Sequence, residues 1–327
     1  MIRLSVILCC YNSAVRIAPT LEALASQETD FPWELVIVDN CSTDNTAELA
    51  TQRWLKIGNN IPMKIVQENI PGLSAARKKG IETAGGELLL FCDDDNQLAS
   101  DYLNQAAVIM NEDKEIGALC GFNNLASSNP LPDIVEKNKV AYACGHKDME
   151  SRYLDEQTVP WGAGLVVRSE FMKKLLLQKF VSLLSDRTGK ELSSGGDTEY
   201  CYLIRLSGYK WKYDTRLSLN HCIPEDRLNM EYLKRLYKGF GEANMVIECY
   251  YRKGYSEQIQ HNLTWWKVFL AQCLYFLKNP IQSEGDQRKL EKAYRKGYMK
   301  KLWQERTDFQ RKQSLVKDII SKLPHVS

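Results

Sequence analysis

Hydrophobic and polar positions follow two alternating periods along the first 125 residues. Five short apolar runs rich in Val, Ile and Leu have the length of buried strands: Leu4–Cys9, Leu35–Val38, Lys64–Gln67, Leu88–Cys92 and Gly117–Gly121. Between them lie segments with helical periodicity: Ala18–Ser26, Thr46–Leu55, Leu73–Ala84 and Asp101–Met110. Because strands that alternate with helices through short connections form right-handed βαβ units, this pattern predicts a doubly wound α/β fold with a mostly parallel sheet.

The pattern changes after residue 122. Residues 123–160 lose their periodicity and predict an excursion from the sheet or a flexible loop. Beyond it we expect a strand, a helix, a polar loop, a helix and two short strands: Trp161–Arg168, Glu170–Lys179, Asp186–Gly196, Thr198–Ser207, Lys210–Asp214 and Leu217–His221. After Pro224 every segment reads as helical: Asn229–Lys253, Thr264–Lys278, Asp286–Glu305 and Asp308–Lys322. The prediction is an α/β domain over residues 1–226, with halves 1–122 and 123–226, followed by a C-terminal helical region over residues 227–327.

Charge is divided unevenly along the chain. The 327 residues carry 43 Lys+Arg and 41 Asp+Glu, a net charge of +2. Residues 287–327 hold 12 Lys/Arg and 4 Asp/Glu, a local charge of +8, so residues 1–286 carry −6. The near-neutral total gives no reason to expect nucleic-acid binding, and it averages an acidic body with a basic tail.

The spacing of the cysteines and the length of the apolar runs bear on the cellular location that we expect for the protein. None of the ten cysteines has the C-x-x-C spacing of zinc ribbons or thioredoxin-like motifs. The chain opens directly on a predicted strand, and no run reaches 18 apolar residues, so we expect neither a signal peptide nor a transmembrane helix. A cytoplasmic location, with peripheral contact to the inner membrane face as an option, is the expectation.

Three successive aspartates, Asp93, Asp94 and Asp95, follow the apolar run Leu88–Cys92. Ligands bind beyond the carboxyl ends of strands in open α/β sheets, and adjacent carboxylates repel each other unless a cation lies between them. Alternate residues of an extended turn point the same way, so Asp93 and Asp95 can share one site. This predicts a Mg²⁺ or Mn²⁺ site, and a solvated turn that caps the next helix is the alternative.

Two other polar clusters are predicted at the same edge of the sheet. The first strand ends at Cys10, Tyr11 and Asn12, and the second ends at Asp39. Neither a G-x-x-x-x-G-K-[ST] loop nor a G-x-G-x-x-G loop is present, which excludes the common NTPase and dehydrogenase classes. A nucleotide here must be held by metal, carboxylates and side-chain cations.

These segments, taken in order, resemble the inverting family-two glycosyltransferases of the GT-A fold. The matching segments, which cover residues 1 to about 230, are Ser5–Asn12 (similar to "SVIIPTYN"), Val36–Asp44 ("VVDNGSTD"), Gly72–Gly80 ("G.s.ARN.G"), Phe91–Asp95 ("FLDDD"), Trp161–Gly164 and Gly195–Glu199 ("GEDTE"). The resemblance implies transfer of a sugar from a nucleotide diphosphate sugar, with a UDP-sugar as donor, to a hydroxyl of a glycan or lipid-linked acceptor.

On the donor side the resemblance implies a role for each motif residue. Asp39 would accept a hydrogen bond from the base, Asp93 would touch the ribose, and Asp95 would ligate the metal. Cys10, Tyr11, Asn12, Arg77 and Asp94 are grouped with the nucleotide-sugar-binding residues. From the residues alone, a turn cap remains the alternative for Asp39 and a solvated helix charge the alternative for Arg77.

On the acceptor side the resemblance makes Asp197 the general base, with Glu199 as the second choice. Gly196 stands where the family pattern has Glu, so one flanking carboxylate is missing. Trp161 and Gly162 are expected beside the acceptor, although a core tryptophan remains an alternative. His221 and Arg227 resemble an "H.IP..R" segment, in which the imidazole would be a further metal ligand and the arginine a phosphate-binding group, while a structural histidine is the alternative.

The sequence also allows two other functional hypotheses. A sugar nucleotidyltransferase and a non-catalytic nucleotide- or glycan-binding module are the alternatives. Nucleotidyltransferases usually open with a Gly-rich, Arg-containing loop, and Ser5–Asn12 has neither residue.

The apolar segment Trp265–Lys278, followed by basic helices, predicts contact with an anionic membrane surface or with a second subunit as a homodimer.

Overall fold

The computed structural model describes residues 2–58, 60–145, 150–184, 195–251 and 264–323. Its strands are β1 (Leu4–Cys10), β2 (Trp33–Asn40), β3 (Met63–Glu68), β4 (Leu88–Asp93), β5 (Asn96–Leu98), β6 (Ile116–Ala126), β7 (Arg152–Tyr153), β8 (Leu165–Arg168) and β9 (Lys210–Cys222). Its helices are α1 (Ile17–Ala25), α2 (Thr46–Ile57), α3 (Leu73–Thr83), α4 (Tyr102–Glu112), α5 (Asp133–Glu136), α6 (Ser169–Leu177), α7 (Gly196–Leu206), α8 (Met230–Tyr251), α9 (Trp265–Lys278), α10 (Gly285–Gln304) and α11 (Phe309–Ser321).

One sheet contains these strands in the order β3-β2-β1-β4-β8-β6-β9-β5, with β7 paired to β9. The first four pair in parallel, whereas β8 runs antiparallel to both β4 and β6. The α/β fold class is confirmed, and the sheet is parallel in its N-terminal half and mixed beyond β4. Of residues 123–160, for which an excursion or a loop was predicted, those up to Ala126 continue β6, α5 lies outside the sheet, and β7 pairs with β9; residues 146–149 lie outside the described residues.

Helices cover both faces of the sheet because both faces of its central strands are apolar. In β1, Ile7 lies in one core with residues of α3, α6 and α7, while Val6 and Leu8 lie in a second core with α1, α2 and α4. Burial on both sides explains why β1, β2 and β4 are continuous hydrophobic runs. The predicted double winding is confirmed.

β9 contains an irregularity where the sequence predicted a break between two strands. Cys120 of β6 pairs with Tyr213 and Phe122 pairs with Ser218, so residues 214–217 bulge out of the ladder. Asp214 holds the bulge by accepting hydrogen bonds from the Nε and Nη2 atoms of Arg216, both at 2.9 Å. The structure therefore has one bulged strand in place of two separate ones.

The C-terminal helices share cores with the sheet. Ala243 and Met245 of α8 and Tyr298 of α10 lie in the same apolar cluster as Phe91 and Tyr200. The predicted boundary at residue 226 falls in the 3-10 turn Glu225–Arg227, directly before α8. Within the described residues, no helix has the combined length and apolarity needed to cross a bilayer.

Candidate functional site

A cavity of about 1140 Å³ opens at the carboxyl ends of the central strands. Its lining includes twelve of the fourteen residues predicted for the site: Cys10, Tyr11, Asn12, Arg77, Asp93, Asp94, Asp95, Trp161, Gly162, Asp197, His221 and Arg227. The other two, Asp39 and Glu199, are buried beside the cavity and do not line it. The fold thus collects residues separated by more than 200 positions in the sequence, as expected for an open α/β sheet.

Asp93, Asp95 and His221 form the cluster most suited to a cation. One ligand atom from each lies within 4.8 Å of the others, and His221 Nε2 is 3.2 Å from Asp95 Oδ1. Burial lowers the pKa of His221, but the Asp95 carboxylate outweighs burial and raises it well above the ordinary value. Two carboxylates and one imidazole are a donor set for Mn²⁺, and less so for Mg²⁺, which prefers oxygen ligands.

The short strand β5 explains why His221 reaches the aspartates. Asn96 accepts a hydrogen bond from the Asp93 backbone N–H at 3.0 Å, which closes a tight turn at the end of β4. Asn96 then pairs with His221 in the antiparallel ladder between β5 and β9. Cys222 N–H also donates to the Asp95 carbonyl at 2.8 Å. Backbone pairing therefore sets the imidazole beside Asp95.

Cys144 orients the His221 ring. Its Sγ lies 3.6 Å from His221 Nδ1 and 3.3 Å from the Tyr142 carbonyl oxygen. If the thiol donates to that carbonyl, its sulfur accepts from Nδ1–H, and a cation that replaced the Nε2 proton would meet the Nε2 lone pair on the side of the aspartates. No sequence motif pointed to Cys144, because its partner is 77 positions away.

Asp94 points away from the cluster and anchors the loop after β1. It forms an ion pair with Arg16 at 2.7 Å and accepts a hydrogen bond from the Ser13 hydroxyl. Burial raises the pKa of Asp94, the hydrogen bond from Arg16 opposes that rise, and the charge of Asp95 adds to it. Although Asp94 borders the cavity, its carboxylate is engaged in holding β4 to the start of α1.

The loops after β1 and β2 hold each other at the mouth of the cavity. Asn12, with a φ of 48°, accepts a hydrogen bond from Thr43 N–H at 2.8 Å and donates its own N–H to Ser42 Oγ at 3.1 Å. Asp39 Oδ1 accepts from Ser42 N–H at 3.3 Å. The Asp39 side chain therefore helps to shape this double loop.

Arg77, Gly162 and Asp197 meet at one point of the cavity wall. Asp197 Oδ2 accepts a hydrogen bond from Gly162 N–H at 2.7 Å, and Oδ1 accepts from Thr198 N–H at 2.9 Å. A methyl group on Gly162 would overlap the Asp197 carboxylate and lie 2.9 Å from Arg77 Nη2. Arg77 is only 5% exposed, with its guanidinium 5.9 Å from the centre of the Phe91 ring, so it is not a solvated helix charge.

Glu199, two residues beyond Asp197, is fully buried. It accepts hydrogen bonds from Tyr250 OH at 2.6 Å and Leu183 N–H at 3.1 Å, and a further one from the Ser182 hydroxyl. These contacts tie α7 to α8 and to the segment after α6. The structure therefore separates the two carboxylates of this motif into one on the cavity and one in the core.

The far wall of the cavity comes from α8 and α10, which the sequence motifs did not include. Its residues on α8 and α10 are Tyr232, Arg235, Leu236, Phe240, Ala243, Asn244, Ile247 and Tyr294. Those on α8 repeat at helical spacing, which is the signal that could have identified a ligand-facing surface. Tyr294 OH lies 2.7 Å from Asn244 Nδ2, so α10 braces this wall.

Comparison with known proteins agrees with this arrangement. The family model described as glycosyl transferase family 2 matches residues 5–172, just over half of the chain. The chain belongs to glycosyl transferase family 2. The predicted family is thereby confirmed.

Among its relatives, this family-2 chain is 35% identical over 115 residues to the poly(ribitol-phosphate) beta-N-acetylglucosaminyltransferase TarS of Staphylococcus aureus. That match covers 34% of this chain and 19% of TarS, so the chain spans about a fifth of the length of this relative.

Two solved structures share the fold of the family-2 chain. The S. aureus TarS 1-349 complex with UDP superposes with a TM-score of 0.52 at 18% identity, covering 91% of this chain and 90% of that one. The mannosyltransferase PcManGT of Pyrobaculum calidifontis, solved with GDP-Man and Mn²⁺, has a TM-score of 0.51 at 19% identity and covers 98% and 86% of the two chains. At these identities the likeness establishes the fold.

Proposed function

We propose that this protein transfers a sugar, with inversion, from a nucleotide diphosphate sugar to an acceptor hydroxyl in a metal-dependent reaction. The main support for this proposal is that one cavity, at the carboxyl ends of the central strands, is lined by the cluster of Asp93, Asp95 and His221 and by the carboxylate of Asp197. A divalent cation bound by the cluster would neutralise charge on the diphosphate.

The donor we propose is a UDP-sugar. TarS is solved with UDP and PcManGT with GDP-Man, so proteins that share this fold bind more than one base. The donor half of the cavity is built by the loops after β1 and β2, with Asp39 at their base. Arg77 and Arg227 border the same cavity as candidate cations for the diphosphate.

The base we propose is Asp197. It would take the proton of the acceptor hydroxyl as that oxygen attacks the anomeric carbon, opposite the departing diphosphate. Two backbone N–H groups donate hydrogen bonds to its carboxylate and fix the direction in which it points. Glu199, fully buried and bonded within the core, is poorly placed for this step.

The acceptor we propose is a glycan chain that lies along α8. The cavity volume of about 1140 Å³ exceeds the usual range for a single small ligand, so donor and acceptor can share it. Aromatic side chains and an exposed arginine, Arg235, line the α8 wall. TarS acts on poly(ribitol-phosphate), as its name states, and a polymeric acceptor of this kind would suit an open, aromatic and cationic wall.

Nucleotide release tests the proposal. The full chain is incubated with UDP-GlcNAc, UDP-glucose, UDP-galactose and GDP-mannose, with Mn²⁺ or with EDTA. We expect release from at least one UDP-sugar, its loss with EDTA, and a loss of at least tenfold in Asp95→Asn, which removes one cluster carboxylate. The matched control is Asp133→Asn, an exposed aspartate on α5, which should retain full activity.

The alternatives give different results. A nucleotidyltransferase would release pyrophosphate from a nucleoside triphosphate and a sugar phosphate. A binding module would bind a UDP-sugar with Mn²⁺, by calorimetry, without releasing nucleotide. Either result would overturn the proposal.

A further inference from the structure

One face of α9 exposes a continuous apolar stripe. Trp266, Leu270, Leu274 and Leu277 are 48%, 52%, 56% and 77% exposed. Their spacings of four, four and three residues place them along one side of the helix. Contiguous exposed apolar side chains of this kind, unlike scattered single ones, are typical of interaction surfaces.

The opposite face of α9 already has its partner within the protein. Trp265 packs edge-on against Trp303 at 5.5 Å between ring centroids, and Phe276 packs against Tyr298 at 6.3 Å. Arg295 of α10 also lies over the Phe276 ring, at 4.6 Å. Packing on α10 therefore accounts for this inner face and leaves the stripe facing outward.

Two lysines of α9 flank the stripe. α9 contains no acidic residue, and its two lysines, Lys267 and Lys278, are exposed near its two ends. On neighbouring α10, Lys292 and Lys296 are also exposed. Within the described ranges, none of these four lysines makes an ion pair with a carboxylate. Helix periodicity puts Lys267 and Lys278 next to the stripe, since they follow Trp266 and Leu277 by one position.

We propose that α9 docks this protein on an anionic phospholipid surface. The stripe would enter the boundary between headgroups and acyl chains, and the lysines would contact lipid phosphates. At 14 residues the helix is about 21 Å long, too short to cross the hydrocarbon core, so it would lie in the plane of the surface. Charge complementarity favours lipid over a second copy of the chain, because the same lysines would face each other across a symmetric dimer.

Vesicle flotation of the full chain tests this inference. The probes are vesicles of phosphatidylcholine with 30% phosphatidylglycerol, and vesicles of pure phosphatidylcholine. We expect binding to the anionic vesicles, at least tenfold weaker binding to the neutral ones, and weakening by 0.5 M salt. The double variant Leu270→Glu/Leu274→Glu should lose at least tenfold in affinity, and Lys267→Glu/Lys278→Glu should lose a similar factor.

Matched controls isolate the surface. Leu177→Glu changes a leucine that is 83% exposed on α6, and Lys137→Glu changes an exposed lysine after α5, so both should bind as the unmodified chain does. Thermal unfolding checks that every variant is folded. Nucleotide release without vesicles should be unchanged in the α9 variants, which separates this inference from the proposed function.

Three results would overturn the inference: no flotation of the full chain, equal binding to neutral vesicles, or equal binding by the Leu270→Glu/Leu274→Glu variant. A dimer in mass photometry that this variant converts to a monomer, without vesicle binding, would assign the stripe to a second copy instead.

Discussion

At the scale of single residues, backbone amides and a thiol do most of the positioning in the site. Asp197 is held by the N–H groups of Gly162 and Thr198. His221 is held between Asp95 and Cys144. Each of these contacts can be tested by a nearly isosteric substitution of the side chain that makes it.

Asp197→Asn is expected to lower the rate of sugar transfer by about 10²–10⁴, because the amide cannot take a proton from the acceptor. Asparagine keeps an oxygen that can accept the Gly162 N–H, so the affinity for UDP in calorimetry should change less than about twofold. Steady-state transfer kinetics give the first quantity. Retention of more than a tenth of the rate would remove Asp197 from the role of base.

Cys144→Ala is expected to weaken Mn²⁺ binding by about tenfold, because His221 loses the partner of its Nδ1 atom. His221→Ala should weaken it further. Calorimetric titration of Mn²⁺ in the presence of UDP measures both. Cys201→Ala, which changes another fully buried cysteine, is the control and should leave the metal affinity unchanged. Equal Mn²⁺ affinity in the chain and in Cys144→Ala would exclude a positioning role.

At the scale of elements, the close crossing of α8 and α10 and the bulge in β9 are the two features that we expect to affect stability. The backbones of α8 and α10 touch where Gly241 meets Tyr294 and Gly297 meets Lys238. A β-carbon on either glycine would overlap a backbone carbonyl of the other helix. This crossing sets the height at which α10 presents Tyr294 to the cavity.

Gly241→Ala or Gly297→Ala is expected to lower the free energy of unfolding by about 1–3 kcal/mol, since the helices must separate. The intrinsic helix propensity favours alanine by about 1 kcal/mol, so a loss would be due to packing. Urea denaturation measures the change. Lys296→Ala, at an exposed position of α10, should be neutral within about 0.5 kcal/mol. Stabilisation by either glycine substitution would contradict the close crossing.

The β9 bulge predicts a pH dependence. Burial raises the pKa of Asp214, but hydrogen bonds from Arg216 and Lys212 outweigh it and lower the pKa to about 2. A lowered folded-state pKa adds stability above the unfolded value, near pH 4, and this contribution disappears as the pH falls through 2. Asp214→Asn should therefore destabilise the protein by about 1–2 kcal/mol at pH 7, after allowance for the partly exposed Arg216.

Denaturation of Asp214→Asn and of the unmodified chain at several pH values measures this difference. The difference in free energy of unfolding between the two chains should decrease steadily below pH 4. The exposed Asp133→Asn variant should not differ from the unmodified chain at any pH. If the difference stays constant down to pH 2, the destabilisation by Asp214→Asn is not electrostatic.

At the scale of the whole molecule, the C-terminal helices are part of the folded unit. Leu290, Tyr298 and Leu302 of α10 are at most 1% exposed, and they lie in clusters shared with the sheet domain or with the segment after β6. Each buried side chain of this size contributes about 1.5–3 kcal/mol, and a whole domain is stable by only about 5–15 kcal/mol.

A chain that ends at residue 263 is therefore expected to lose cooperative thermal unfolding or to become insoluble. Circular dichroism on heating measures this, with a chain ending at residue 323 as the control that should match the full chain. A truncated chain that melts cooperatively within a few degrees of the full chain would show that α9, α10 and α11 are dispensable for folding.

The sequence alone determined the fold class and most of the site. Strands buried on both faces must be continuous apolar runs, so β1, β2 and β4 were predicted within two residues of their ends. The strand ends of a parallel sheet meet at one edge, so the position of the aspartates at this edge could also be predicted.

The tertiary structure decided which partners each side chain takes. It paired the Asp94 carboxylate with Arg16, whereas that of Asp95 faces His221, and it buried Glu199 in the core, whereas Asp197 lines the cavity. It also brought Cys144 to His221 and the face of α8 to the cavity. These outcomes depend on packing between distant segments, and a local sequence pattern records only which residues can be buried or can bind, not which of their neighbours they meet.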